Sequence, residues 1–505
     1  MKKTAMLLIL ISLISKFSGL LRDIVLSYFY GASIISDAYL ISQTIPIVIF
    51  SFIGIGIATG YMPMYTGIKK DKGVLEANKF TTNLLNSVLI LCFIIIIFTF
   101  INTEFVVKLF ASGFEGETLI ITRQFTRISI IGIIFISIVN IFSSFLQIND
   151  KYIISAISII PMNLIIILSI ILSSKIDIKL IAIGSVIAII VQVSILVPSV
   201  DGNGYKYKFS IDFKDENIKK MLLLTLPTIL GIAINDINVL IDRTIASNIS
   251  IGGISALNYA NQINRFIHGV FVLSIATIFY PTISKLVVKN DIGKLKIVLN
   301  QSITGVLIFT VPSSIGILFF SEEIIRLLFE RGAFDLNAML LTSSALFFYA
   351  FGIVGTGLRE ILSRPFYSMK DTKTPTLNAM IGMLINIILN IILSKYLGIG
   401  GLALATSISA IITSFLLIYS LRKKIGSIGI RSILFTTMKI MATSIIMGVI
   451  ARVVYNNTSE LINYNLALII SIIIGVVTYF SILIFMKIEE VDLLIMNLKA
   501  RVMKN

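Results

Sequence analysis

The sequence has no tryptophan, one histidine and one cysteine, and only 13% of its 505 residues are charged. Each shortage excludes something. A single histidine rules out the usual zinc-ligand spacings, and Cys92, alone in an apolar run, can close neither a disulfide nor a thiolate cluster. Soluble domains carry about 25% charged residues. A chain with 13% charged and 56% hydrophobic residues cannot cover itself with polar surface, so its solvent is a bilayer. There is no His-x-x-x-His pair, nucleophile elbow, P-loop or GxGxxG unit, which argues against an enzyme and against an ATP-driven pump.

What is present is apolar and basic. The formal charge is +16, but the lysines and arginines sit in short segments between apolar runs, with no aromatic-interleaved basic domain, so nucleic acid is not the expected partner. Lys2 and Lys3 before an apolar run resemble a signal peptide. Lys16 and Arg22 then interrupt that run and no A-x-A site follows, so the segment reads as an uncleaved first helix.

A span needs about 20 largely apolar residues. Fourteen such stretches are expected, centred near residues 16, 48, 92, 132, 163, 189, 232, 270, 310, 350, 386, 411, 443 and 475. Basic residues concentrate in alternate connections: Lys69, Lys70, Lys72 and Lys79; Lys206 to Lys220; Lys285 to Lys296; Arg364, Lys370 and Lys373; Arg422 to Arg431. The connections between are poor in Lys and Arg, and two carry net acid (Glu104, Glu115, Glu117; Glu322, Glu323, Glu330, Asp335). The positive-inside rule then puts both termini in the cytoplasm, in agreement with an even helix count.

The chain also repeats. "IATGYMP" (57–63) recurs as "IATIFYP" (275–281), "LFASGF" (109–114) as "LFERGAF" (328–334), and "NDK" (149–151) as "KDTK" (370–373), all at shifts near 220. The repeating unit is six helices, so both copies insert the same way up, related by an axis along the membrane normal with a cavity between them. The expected fold is therefore an all-α integral membrane protein: an N-lobe (1–200), a C-lobe (217–424) and two extra helices (430–490). The plainer alternative is two halves that share only an isoleucine-rich composition.

Charges at membrane depth mark three candidate constellations, because a centred Lys, Arg or Asp costs about 2.5–3.5 kcal/mol on insertion scales. The first is "SKFSGLLRDIVLSYFYGASIISDAYLI" (15–41), with Lys16, Arg22, Asp23 and Asp37. Arg22 and Asp23 can snorkel from the outer end of helix 1, and Lys16 and Asp23, seven apart, can meet on one face. The functional reading is a cationic cavity wall for an anionic substrate; the structural one is an ion pair packing helix 1 on helix 2 through Asp37. The second is "NYANQINRFIHG" (258–269), whose Asn258, Gln262, Arg265 and His268 or Gly269 form a polar helical stripe suited to a wet lumen, or to a snorkelling helix end. The third is Asp242 of helix 7 with Asn386, Asn390 and Thr406 of helices 11 and 12, hard oxygen ligands for Na⁺, with a carbonyl near Leu402. Asn386 and Asn390 serve equally for interhelical hydrogen bonding. Arg243 is expected to turn away, toward the interface or Asp236, leaving Asp242 for the ion.

"SKFSGLLRD", "SDAYLISQTIP", "ALNYANQINRF", "IIRLLFERGAFD" (324–335) and "LSRPFYSMKDTKTP" (362–375) together resemble the MurJ/MviN family, over nearly the whole chain. That family, part of the multidrug/oligosaccharidyl-lipid/polysaccharide exporter superfamily, comprises lipid II flippases of peptidoglycan synthesis. The resemblance implies two six-helix lobes plus two helices. It places the family's helix 1 cavity cations on Lys16 and Arg22, followed by Asp23, its helix 2 acid on Asp37, and its cation site on Asp242, Asn386, Asn390 and Thr406. Departures are specific. In helix 2, "VIFSFIGIGI" puts Phe50, Ser51 and Ile55 where the family has an arginine pair and a glutamate. Gln262 stands at its helix 8 arginine, for which Arg265 one turn later can substitute, and Lys16 keeps the charge without the bidentate fork.

The implied activity is translocation of lipid II by alternating access in the bacterial cytoplasmic membrane, with Lys16, Arg22, Asp23, Asp37, Gln262 and Arg265 at the substrate. Membrane potential or Na⁺ as a coupling ion is the expected energy source, no other cofactor is expected, and cell-wall synthesis proteins are the expected neighbours. The alternative is export of another polyprenyl-linked oligosaccharide of teichoic acid, capsule or O-antigen type. An exporter of drug-like cations would want acidic lumen residues instead. A polyprenyl-phosphate enzyme and a non-transporting scaffold are the remaining readings.

Overall fold

In hydrocarbon every backbone N–H and C=O must find its partner within the chain, so the apolar runs fold as helices. The computed structural model describes residues 2–212 and 214–486; residues 487–490 of the expected 430–490 segment lie outside them. The first half runs α1 (Lys2–Tyr30), α2 (Ile34–Lys72), α3 (Val74–Ile101), the short α4 (Thr103–Phe110), α5 (Gly116–Ser129), α6 (Gly132–Ile148), α7 (Tyr152–Ile157), α8 (Ile159–Ser173) and α9 (Leu180–Gly202). The second runs α10 (Glu216–Ile249), α11 (Gly253–Ile267), a π-helical turn (His268–Val272), α12 (Leu273–Val288), α13 (Ile292–Phe329), α14 (Leu336–Ser368), α15 (Lys373–Ile425), α16 (Ile430–Ser459) and α17 (Tyr464–Phe485).

All fourteen expected centres fall in these helical segments. Among the described residues ten helices are long and apolar enough to cross a membrane, or eleven when α5 and α6, bent by 43°, count as one broken span. Two expected centres, near 386 and 411, share the 53-residue α15. Its arms are separated at Gly398, where φ 54° and ψ −130° suit glycine alone.

By packing, the chain divides into two units. The first runs to Ala256 and takes in Arg331–Ala338; the second holds Leu257–Glu330 and the chain from Met339 on. The packing boundary differs from the repeat boundary at residue 217, because α10 lies against α2 in the first unit. The reason is local: Gly60 of α2 has no side chain where Thr225 and Met221 of α10 come in, and a Cβ there would stand 2.5 and 2.6 Å from their side chains. The core of this unit gathers Phe50, Tyr61, Tyr65, Phe80 and Phe145. The second unit has its own core around Val272, Val306, Leu307, Ile361, Phe366 and Tyr479.

Left-handed backbone turns recur along the chain. Gly31, Gly73, Gly116, Asp150 and Gly204 have positive φ, and so do Gly252, Asn290, Gly332, Lys370 and Gly426, each 216 to 222 residues further on. The Asp150 and Lys370 turns close with the same bonds. Asp150 N donates to Gln147 O at 3.2 Å and Lys151 N to Leu146 O at 2.8 Å; Lys370 N donates to Tyr367 O at 3.0 Å and Asp371 N to Phe366 O at 2.9 Å. That pattern is the Schellman helix stop.

Between α9 and α10 the chain is laced to α3. Asn78 Nδ2 donates to Gly204 O (2.9 Å), Thr82 Oγ1 meets the Tyr205 hydroxyl (3.0 Å), and Asn86 Nδ2 donates to Ser210 O (2.8 Å). Asn83 binds both backbone groups of Asp212, at 2.7 and 3.0 Å, and donates to Asp215 Oδ2 at 2.9 Å. Asp215 in turn caps α10 by accepting from Asn217 N.

Candidate functional site

On α1 the four expected charges separate into different environments. Lys16 is partly buried and makes no ion pair among the described residues. Arg22 donates to one oxygen of its chain neighbour Asp23, from Nε at 3.1 Å and Nη2 at 3.0 Å, and from Nη1 to Asn163 Oδ1 of α8 at 3.4 Å. Asn163 Nδ2 then donates to Ser18 Oγ at 2.9 Å. The expected Lys16–Asp23 contact is thus replaced by Arg22–Asp23. Seven residues of helix separate the former pair by about 10 Å of rise, and the nearer guanidinium wins. Nor does Asp23 snorkel: it is 1% exposed, and its second oxygen has no partner among the described residues.

Asp37, near the start of α2, is fully committed elsewhere. Its carboxylate accepts from Gly252 N at 2.8 Å and Ser255 N at 2.7 Å, and from the Ser255 hydroxyl, which also meets Ser36 Oγ at 2.8 Å. A carboxylate on the unsatisfied amides at a helix start, here the first turn of α11, is doubly favoured by hydrogen bonding and by the helix dipole. The fit demands glycine at 252: φ is +79°, and a Cβ would stand 2.3 Å from Ala32 O. The ion pair expected between helix 1 and Asp37 is not formed among the described residues. Arg243 donates to Ile254 O at 3.0 Å rather than turning to Asp236, whose carboxylate accepts from Ser51.

On α11, Gln262 is partly buried and Arg265 exposed, with no ion pair among the described residues. Asn258 and His268 have partners. The polar stripe runs into the π-helical turn at His268, a local widening that interrupts the 3.6-residue period and recurs at functional sites in proteins generally.

The third constellation assembles in part within the second unit. Asn390 Nδ2 donates to Asn386 Oδ1 at 2.8 Å, Asn386 Nδ2 to Thr406 Oγ1 at 3.3 Å, and Thr406 Oγ1 to Leu402 O at 3.0 Å. Asn386 and Asn390 are 1% and 0% exposed. The turn at Gly398 brings Thr406 back beside Asn386. Asp242 belongs to the first unit, where Asn238 Nδ2 stands 3.5 Å from its Oδ2.

The second unit also holds an apolar groove of about 330 Å³ between α13, α16 and α17, lined by Phe271, Phe309, Pro312, Met447, Gly475 and Tyr479 among others. Sequence reasoning passed over Asn163 and Ser255 as site neighbours. Asn163 carried a signal, a lone amide in the apolar run "IIPMNLIIIL".

The fold defines a class first. An inward-facing multidrug resistance MATE family transporter of the MOP superfamily superposes with a TM-score of 0.71 over 83% of this chain and 96% of that one; at 15% identity the likeness is one of fold alone. The family follows from sequence. The family model described as "Lipid II flippase MurJ" matches residues 26–479, and the chain belongs to that family. Its relatives include the lipid II flippase MurJ of Thermosipho africanus, 31% identical with 96% of each chain covered, and the probable lipid II flippase MurJ of Thermotoga maritima, 27% identical with 95% of each covered. A solved structure described as lipid II flippase MurJ in an inward closed conformation matches with a TM-score of 0.83 at 30% identity, covering 97% of this chain and all of the other.

Proposed function

We propose that this chain is a lipid II flippase, a transporter and not a catalyst, moving the lipid-linked precursor from the cytoplasmic to the outer leaflet by alternating access. The observation that carries the reading is Lys16, a cation within α1 that no carboxylate among the described residues neutralises, in a chain matched almost end to end by a lipid II flippase family. A pyrophosphate carries the charge that Lys16 lacks. Arg22 and Arg265 serve the same anion, and Gln262 offers its amide to the phosphate or the sugar. Arg22 is held in place by Asp23, and Asp37 acts through the α11 cap. The apolar groove beside α13, α16 and α17 suits a stretch of polyprenyl chain.

The finer architecture is part of the same proposal. Counting α1, α10 and the second arm of α15 as spans brings the eleven to fourteen. The recurrence of positive-φ helix stops supports two six-helix lobes, 1–200 and 217–424, followed by α16 and α17 in the 430–490 segment. The distribution of Lys and Arg supports cytoplasmic termini. Proteins of cell-wall synthesis are the natural neighbours of such a chain.

Na⁺ is the proposed coupling ion. Asn386, Asn390 and Thr406, with the Leu402 carbonyl, form a chain of hard oxygen donors, and Asp242 supplies the countercharge. The bound ion would fix these groups and favour one access state.

The missing helix 2 arginines favour one rival, export of another polyprenyl-linked oligosaccharide, since Phe50 and Ser51 leave the wall less cationic. Depletion of the protein distinguishes the two. Lipid II accumulating in the cytoplasmic leaflet is the expected result. Accumulation of a different lipid-linked saccharide, with lipid II distribution unchanged, selects the rival.

A further inference from the structure

Among the described residues, Asp236 of α10 is a carboxylate without a cation: it makes no ion pair, and its one hydrogen bond comes from the Ser51 hydroxyl of α2. That bond is divided. Ser51 Oγ also stands 2.7 Å from Val48 O, and a hydroxyl has a single proton to give. Asp236 therefore holds less than one full hydrogen bond, where a carboxylate can accept several.

Beside it lies an apolar niche of about 390 Å³, walled by α2, α3, α4 and α10, all within the first unit. Val48, Val106 and Phe110 form its buried wall, Phe98, Phe105 and Ile237 stand exposed around it, and Asp236 and Thr99 complete the lining. Asn102, with φ −111° and ψ 35°, breaks the helix between α3 and α4, and residues on both sides of the break face the niche. Its volume falls at the small end of the roughly 300–1,000 Å³ range of small-molecule sites.

Thr99 is the second signal. Thr81 and Thr103 commit their hydroxyls to the carbonyl four residues back, Thr81 to Ala77 O at 3.0 Å and Thr103 to Thr99 O at 2.8 Å. Thr99 does not. It is 0% exposed, yet its hydroxyl has no partner among the described residues. A buried hydroxyl left unsatisfied is costly, and a ligand that satisfies it recovers the loss.

A carboxylate short of donors and an idle hydroxyl in an apolar wall define a ligand. The exposed phenylalanines and Ile237 admit an apolar body. Asp236 calls for a positive charge, since a carboxylate beside an apolar wall is costly unless a cation joins it. An ammonium N–H donates to a carboxylate and to a hydroxyl oxygen alike. Among the described residues no lysine or arginine lines the niche, so nothing there matches a phosphate, which sets aside a phospholipid headgroup.

We propose that this niche is a binding site for a small lipophilic ammonium, whose charge pairs with Asp236 and whose N–H meets the Thr99 hydroxyl. The proposal stands apart from the reading of the chain as a lipid II flippase and does not depend on it.

The test places the full-length protein in phosphatidylcholine nanodiscs and measures binding of phenylbutylamine and of its uncharged counterpart phenylbutanol, with empty nanodiscs as the blank. The amine is expected to bind saturably and about tenfold or more tighter than the alcohol, the gain from one charge-assisted contact. Asp236→Asn should reduce the amine to the level of the alcohol. Thr99→Val, which removes the hydroxyl and keeps the shape, should weaken the amine severalfold and leave the melting temperature at or above that of the wild type. Thermal melting confirms that each variant folds. Equal binding of amine and alcohol by the wild type overturns the proposal, as does full-strength amine binding in folded Asp236→Asn. Amine binding unaffected in Thr99→Val overturns it independently of that variant. No saturable binding of either probe leaves the niche to lipid acyl chains and overturns it as well.

Discussion

The Asp37 carboxylate and the Ser255 backbone amide, 218 residues apart in sequence, lie 2.7 Å from each other. With the Gly252 amide and the Ser255 hydroxyl, they latch the start of α2 to the first turn of α11. Asp37→Asn keeps the shape but turns a charged acceptor of three bonds into a neutral one. Hydrogen bonds to a charged group contribute about 1.5–3 kcal/mol each. The variant is expected to melt several degrees lower and to exchange the Gly252 and Ser255 amide hydrogens faster by mass spectrometry. Unchanged exchange there would remove the latch.

Lys16 and Arg22 should fail differently. Lys16 has no ion-pair partner among the described residues, so Lys16→Ala is expected to abolish growth in a flippase-depleted cell with a stability change within about 0.5 kcal/mol. Lys16→Arg should restore growth. Arg22→Ala strands a buried Asp23 and should cost on the order of 3 kcal/mol in addition to activity. A second change, Asp23→Asn, is expected to recover the melting temperature but not growth. Normal growth of Lys16→Ala at native expression would leave helix 1 a purely structural element.

Na⁺ is expected to raise the melting temperature of the purified protein, Li⁺ less so and K⁺ not at all. Asn386→Ala and Asp242→Asn should each abolish the Na⁺ increment. Identical melting curves in NaCl and KCl from millimolar to molar salt would leave Asn386, Asn390 and Thr406 as interhelical hydrogen-bonding groups only.

Asp371, in the turn between α14 and α15, gives a pH signature. Burial pushes its carboxyl up, but hydrogen bonds from Lys424 and Thr374 outweigh that and hold it at about 2, below the ordinary 3.8. A carboxyl that binds its proton less readily when folded stabilises the protein above its ordinary value, and the benefit fades as pH falls toward about 2. Asp371→Asn should therefore melt below the wild type at pH 6, with the gap closing between pH 4 and pH 2. A gap constant with pH would mean that the Lys424 contact contributes nothing.

The positions of the helices were legible because each apolar run is itself the signal. The Asn386–Asn390–Thr406 chain was legible too, since four-residue spacing and a short glycine turn dictate who meets whom. The partners of Asp37 were not. They are backbone amides at a helix start, and an amide has no identity in a sequence. The Arg22–Asp23 pair was misread for a related reason. Helical periodicity ranks contacts by angle, whereas a long guanidinium can fold back onto its neighbour when Asn163 of α8 holds its far end.

The lacing of residues 204–215 onto α3 separates covalent continuity from mechanical attachment. A connection of this length would ordinarily be a slack tether whose cleavage sets its ends adrift. Here side chains of Asn78, Thr82, Asn83 and Asn86 grip it at both ends and in the middle. A protease that nicked the exposed Lys206 or Lys208 would break the chain while leaving the foot of α10 moored where it was. The two halves of this transporter could accordingly be made as separate polypeptides, with α3 serving as the splint.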